Sequence, residues 1–291
     1  MTEIKGLNKN ATRMLTGFIM GTIAMSCIIY GKLALLLLLM FIIVVASKEY
    51  VKILEHKGFY PSLKVMIAAE LLIAGIAYIQ RFDLVAVALT LSVIGAFMWV
   101  LFRGRQPYIA NAATTVLGII YCGWFPLHLI FLRHLSSDRF HDGLGFVVMM
   151  FTAILLTDIG CYYAGRHLGK HKLAPVVSPN KTIEGSIGGS ICAVIGAMIV
   201  GYFIGLEWYY SMFAGILCTM FAQIGDLCES LIKRDAGVKD SGDSLPGHGG
   251  FLDRTDSFVF TIPVMYYFCK YFIFSGDIMN GILNIFKGFF G

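Results

Sequence analysis

Nine stretches of apolar sequence, at about 14–29, 33–47, 63–80, 83–102, 109–132, 143–165, 184–205, 207–232 and 255–274, follow one another along the 291-residue chain. Most approach twenty residues, the length at which an α-helix crosses a hydrocarbon layer about 30 Å thick. Inside such a layer every backbone amide and carbonyl needs an internal partner, so a run of this kind folds as a helix. Only 14% of the residues are charged, against about a quarter in soluble domains. The expectation is an all-α polytopic integral membrane protein with about nine transmembrane helices. Cys27, Cys122, Cys161, Cys192, Cys218, Cys228 and Cys269 all fall within apolar runs and form no CxxC pair, so they read as small buried hydrophobes. No small-residue cleavage site separates the first run from the second, and no cleaved leader is expected.

Orientation follows from the basic residues. With the N-terminus inside, seventeen of the 23 Lys and Arg fall in inside segments and six in outside ones. That bias puts the two long polar connections, 166–183 and 233–254, in the cytoplasm. The tail after 275 spaces Ile278, Ile282, Ile285, Phe286 and Phe289 along one helical face, which suits a helix lying at the interface. A net charge of +5, dispersed along the chain, gives no case for a nucleic-acid partner.

The chemistry gathers at the end of the eighth run. Helix continuing from 207 into Arg234 would be 28 residues, about 42 Å at 1.5 Å per residue, longer than a membrane needs. Gln223, Asp226, Glu229, Ser230 and Lys233 recur at three- and four-residue steps and share a face. Interhelical pairing is the plain reading, but ionisable groups at membrane depth point first to function. The next residues read "KRDAGVKDSGDSLPGHGGFLDRTD", 233–256. Lys233, Arg234, Lys239 and Arg254 can neutralise phosphate, and the glycines let backbone amides approach it. Asp240, Asp243, Asp253 and Asp256 offer the hard oxygen ligands that suit Mg²⁺ shared with phosphates. Asp253 and Asp256 stand one turn apart at a helix entrance.

The other connection lies within "TDIGCYYAGRHLGKHKLAPVVSPNKTIEGSIGGS", 157–190. Asp158 is a second intramembrane carboxylate, followed by Tyr162 and Arg166 at four-residue intervals. In "SPNKTIEG" Pro179 is expected to set a turn and Thr182 to cap a helix, with Lys181 where a phosphate would favour the helix dipole. Glu70, alone in the third run, is expected to make a structural pair.

"SLIKRDAGVKDSGDSLPGHGGFLDRTD", 230–256, closely resembles the signature of the phosphatidate cytidylyltransferases, the CDP-diacylglycerol synthases. Its S-x-x-K-R, K-D, P-G-H-G-G and L-D-R-x-D elements stand at matching spacing. "SPNKTIEG" is similar to that family's S-P-K-K-T-x-E-G segment and "DIGCYYAGR" to its D-x-x-A-Y-x-x-G-R stretch, with Asn180 and Cys161 as departures. The good match covers about 157–257, and the first 150 residues agree only in hydropathy. The resemblance implies transfer of a cytidylyl group from CTP to phosphatidate, with Mg²⁺ and room for a second cation such as K⁺. It implies Asp226 and Asp253 as metal ligands, Asp256 beside them, and Lys181, Lys239, His248 and Arg254 facing the triphosphate. Ser178, Asn180, Asp158, Lys233, Arg234, Asp240, Gly249 and Gly250 complete the substrate-binding set that it implies. The chain is expected to divide into N-terminal transmembrane helices over 1–150, a catalytic transmembrane region over 151–275 and an interfacial tail over 276–291 in a cell membrane, and the resemblance implies a homodimer.

Two other readings compete. A CTP-dependent enzyme acting on another lipid phosphate or a polyprenol would share much of this sequence. An ion-coupled transporter could use Asp158, Asp226 and Glu229 as a path, but it would bring an internal repeat or paired broken helices. The sequence has neither.

Overall fold

The computed structural model describes residues 9–137, 140, 143–242, 244 and 249–274. His248 and the tail 276–291 lie outside the described residues. The helices are α1 (Lys9–Tyr30), α2 (Lys32–His56), α3 (Leu63–Tyr78), α4 (Val85–Arg103), α5 (Tyr108–Gly118), α6 (Phe125–Arg133), α7 (Leu144–Leu168), α8 (Ile183–Phe203), α9 (Trp208–Asp235) and α10 (Leu252–Phe268). A π-helical segment, Ile119–Trp124, joins α5 to α6, and another, Cys269–Phe274, extends α10. Among the described residues seven helices are long and apolar enough to cross a membrane. The two remaining stretches of the nine are also helical. One is apolar over Ile19–Tyr30 in α1. The other is α3, whose 16 residues span about 24 Å.

The chain groups into two compact units, Met1–Ile130 with Asp226–Val259, and Phe131–Gly225 with Phe260–Gly291. In the first, α2 and α3 pack through Leu39, Ile43, Met66 and Ile73, all buried. A Cβ on Gly118 would lie 2.6 Å from the Met66 methyl and 2.8 Å from the Tyr50 ring, so that close approach needs glycine. The Tyr50 hydroxyl donates to the Thr114 carbonyl at 3.0 Å. Glu70 makes the structural pair expected of it: the Ser47 hydroxyl donates to its Oε1 at 2.7 Å, joining α2 to α3.

In the second unit α7 and α8 form a close hairpin. Gly185, Gly189, Ala193, Ala197 and Gly201 recur every fourth residue along α8, and all are buried. Without side-chain bulk between them, helix backbones can approach within van der Waals contact, which drives association in lipid. A Cβ on Gly160 would sit 2.8 Å from the Gly189 Cα. The opposite face of α8 exposes Ile183, Ile187, Ile191 and Ile195.

Between α7 and α8 the chain makes a two-stranded antiparallel hairpin, β1 (Lys172–Ala174) and β2 (Ser178–Thr182). The turn is 175–177, so Pro175 stands in it and Pro179 lies within β2 instead. Proline lacks an amide proton and is tolerated in a strand that has a free edge. Thr182 caps α8 as expected, its Oγ1 accepting from the Gly185 amide at 3.1 Å.

Candidate functional site

The long eighth run is one helix, α9, of 28 residues. Its last three turns carry Asp226, Glu229, Ser230 and Lys233, which belong to the first unit. The Ser230 hydroxyl donates to Asp226 Oδ1 at 3.5 Å. Glu229 is fully buried and pairs with Lys233, one turn on. Lys233, itself buried, also donates to Asp253 Oδ1 at 2.6 Å. A buried lysine bridging two carboxylates is a charge-assisted arrangement that neither partner can leave cheaply.

Asp253 sits in the first turn of α10 and gathers the loop that precedes it. Its Oδ2 accepts from the Ser241 amide at 3.0 Å, the Ser241 hydroxyl at 2.9 Å and the Gly250 amide at 3.0 Å. Gly249 has φ +81°, a backbone state that favours glycine. At Gly250 the constraint is space, because an added Cβ would meet the Ser241 Oγ and lie 2.5 Å from Glu49 Oε2. Thus "GHGGFLDRTD" needs one glycine for conformation and the next for close approach.

The structure therefore brings Lys233, Asp253, Gly250 and Ser241 into one hydrogen-bonded cluster. Through Lys233 the cluster extends to Glu229. Asp226 and Asp256 are half-buried, whereas Arg234, Lys239, Asp240 and Arg254 are exposed around the loop. Lys57 reaches the C-terminal end of α9, its Nζ 2.9 Å from Asp235 Oδ1.

In the second unit, Ser178, Asn180 and Lys181 follow one another on β2. Glu184, in the first turn of α8, accepts from the Lys170 amide at 3.0 Å and lies 2.6 Å from His171 Nδ1, fastening the hairpin to the helix. Asp158 is on an exposed face of α7, and one and two turns on Arg166 Nη1 donates to the Tyr162 hydroxyl at 3.0 Å.

Two residues that the sequence did not single out organise these sites. Glu184 is one. The other is Glu49, buried on α2, whose carboxylate accepts from the Phe251 and Leu252 amides at 3.1 and 2.9 Å. A lone acidic residue at the end of an apolar run is the only trace of it in the sequence.

The donor set suits a hard divalent cation. Glu229 and Asp253 both pair with the buried Lys233, and the donors that they offer are carboxylate oxygens. Mg²⁺ commonly takes one or two carboxylates and completes its shell with water and phosphate. No group of three His, Cys, Asp or Glu side chains stands ready as a metal cage among the described residues. Asp253 could take a cation only by exchanging part of its present hydrogen bonding.

The cytidylyltransferase family profile matches residues 11–272, so the likeness extends through the N-terminal helices, well beyond the 157–257 that the motifs alone covered. The phosphatidate cytidylyltransferase of Staphylococcus haemolyticus is 36% identical over 262 residues, 87% of this chain and 96% of its own. That of Synechocystis sp. is 33% identical over 286 residues, 88% of this chain and 95% of its own. That of Staphylococcus aureus is 35% identical over 262 residues, with 87% and 96% covered. With the match running through both polar connections and the charged loop at α10, this chain belongs to the cytidylyltransferase family and is a nucleotidyltransferase.

Proposed function

We propose that this chain transfers a cytidylyl group from CTP to phosphatidate at the cytoplasmic face of a cell membrane. The observation that carries the reading is the Lys233–Asp253–Ser241 cluster at the mouth of α10, built from the segment that most resembles the family signature. The names of the relatives support the choice of substrates. An oxygen of the lipid phosphate bonds to the α-phosphorus of CTP, and the bond from that phosphorus to the bridging oxygen of the β-phosphate breaks. The products are CDP-diacylglycerol and pyrophosphate. Because the lipid phosphate is already anionic near neutral pH, the protein need not supply a strong base. Positioning and charge neutralisation dominate such transfers.

Asp226 and Asp253 would hold Mg²⁺, with Asp256 beside them, and the ion would neutralise charge on the α-phosphate and the departing pyrophosphate. Lys239 and Arg254, both exposed at the loop, bind the triphosphate in this reading. Lys233 keeps Glu229 and Asp253 from repelling each other before substrate arrives. A second cation such as K⁺ and a homodimer belong to the same proposal.

Purified protein mixed with phosphatidate vesicles and labelled CTP tests it. Labelled CDP-lipid and stoichiometric pyrophosphate are the expected products. Transfer to a polyprenol or another lipid phosphate, with none to phosphatidate, would overturn the choice of acceptor.

A further inference from the structure

The first amides of α10 draw on a residue far away in the chain. Phe251 precedes its first residue, and phenylalanine has no acceptor for the amides that a helix start leaves unpaired. Glu49 takes that place from α2, about two hundred residues earlier in the chain. It is 3% exposed, and each of its oxygens is engaged. Oε1 accepts from Phe251, and Oε2 accepts from Leu252 and from the Ser241 hydroxyl at 3.2 Å.

That hydroxyl is the link to the site. Ser241 Oγ lies 2.9 Å from Asp253 Oδ2 as well, and a hydroxyl has one proton to donate, so it stands between the two carboxylates. Gly242 and Gly250 flank the contact, where an added Cβ would lie 3.2 Å and 2.5 Å from Glu49 oxygens. A buried carboxylate is a costly way to fill a helix start, since a neutral cap would satisfy the same amides. What the charge adds is two strong amide bonds and a share in the Ser241 hydroxyl, which hold the loop from one side while Asp253 holds it from the other.

We propose that Glu49 is a positioning residue for the nucleotide site, fixing the entrance of α10 and, through Ser241, the carboxylate of Asp253. The inference rests on the proposed function for the identity of the nucleotide, but the loop itself can be read without turnover. Full-length Glu49→Ala, Glu49→Gln and Ser241→Ala proteins are compared with the wild type and with Glu55→Gln, an exposed carboxylate on the same helix. One readout is the KM for each substrate. The other is the rate of maleimide labelling at a cysteine placed at the exposed Ser244, in a background without the native cysteines.

In Glu49→Ala the KM for CTP should rise about tenfold, the worth of one charge-assisted contact, while the KM for phosphatidate stays put. Labelling at 244 should quicken. Glu49→Gln, which keeps one acceptor oxygen, should fall between, and Ser241→Ala should move the CTP value in the same direction with α2 intact. Glu55→Gln should match the wild type. Folded variants with fewer active molecules but unchanged KM for CTP and unchanged labelling would make Glu49 a fold anchor alone and overturn the proposal. If the wild type turns over no CTP, the proposed function fails, and the labelling rates still decide the role of Glu49.

Discussion

Asp226 and Asp253 stand on different helices. Asp226 comes from the last turns of α9 and Asp253 from the first turn of α10. Replacing either by Asn keeps the shape and one oxygen while removing the charge. At least a hundredfold loss of turnover is expected in a folded protein, about the lower end for losing a preorganised electrostatic group. Asp226→Asn is the cleaner of the two, because Asp253→Asn also releases Lys233 and Ser241. A well-folded Asp226→Asn enzyme that kept more than about a tenth of its activity would remove Asp226 from the metal site. Lys239→Ala and Arg254→Ala act on different chemistry. Each should raise the CTP requirement roughly ten- to a hundredfold, from about 1.5–3 kcal/mol of lost charge-assisted contact, and leave the phosphatidate requirement nearly unchanged. Equal effects on both substrates in steady-state assays would assign these cations to folding instead.

At the scale of elements, the α7–α8 hairpin depends on the small residues along α8. A Cβ on Gly189 would lie 2.6 Å from the Thr157 carbonyl oxygen and closer still to the Cys161 sulfur. Gly189→Val therefore cannot be absorbed without separating the helices, and overpacking of this kind costs about 1–3 kcal/mol. Its thermal midpoint in detergent should fall clearly below that of Ile191→Val, which changes the exposed face of the same helix. Equal midpoints would mean that the seam does not hold the hairpin. The four-residue spacing is written in the sequence, yet hydropathy does not single it out, since glycine and alanine count as mildly apolar everywhere. The hairpin β1–β2 was also hard to read. "SPNKTIEG" shows the cap at Thr182 plainly, because capping is local, but strand pairing depends on residues 172–174 across the turn.

For the whole molecule, the proposal of a cytoplasmic site predicts a definite labelling pattern. A cysteine at Ser244, beside the charged loop, and one at Asp83, in the α3–α4 connection, should react from opposite sides of sealed vesicles. Labelling of both from one side would defeat the assignment of sides made from the basic residues. Long apolar runs, the basic-residue bias and the 28-residue α9 were all legible, because each is a property of contiguous sequence. The motifs around 230–256 likewise marked the segment in which Lys233, Ser241, Gly250 and Asp253 form one hydrogen-bonded cluster. What holds that segment in shape was not legible. Glu49 meets Phe251 and Leu252, and Lys233 meets Asp253, only after separate helices have packed. Sequence by itself determined the membrane class, the helices and the charged loop before α10, since helix formation in lipid and local spacing need no distant partner. The tertiary structure decided which carboxylate caps α10, which one takes the lysine and which glycine must give way to a neighbour. Those outcomes rest on hydrogen bonds between residues far apart in the chain, whose geometry no local pattern encodes.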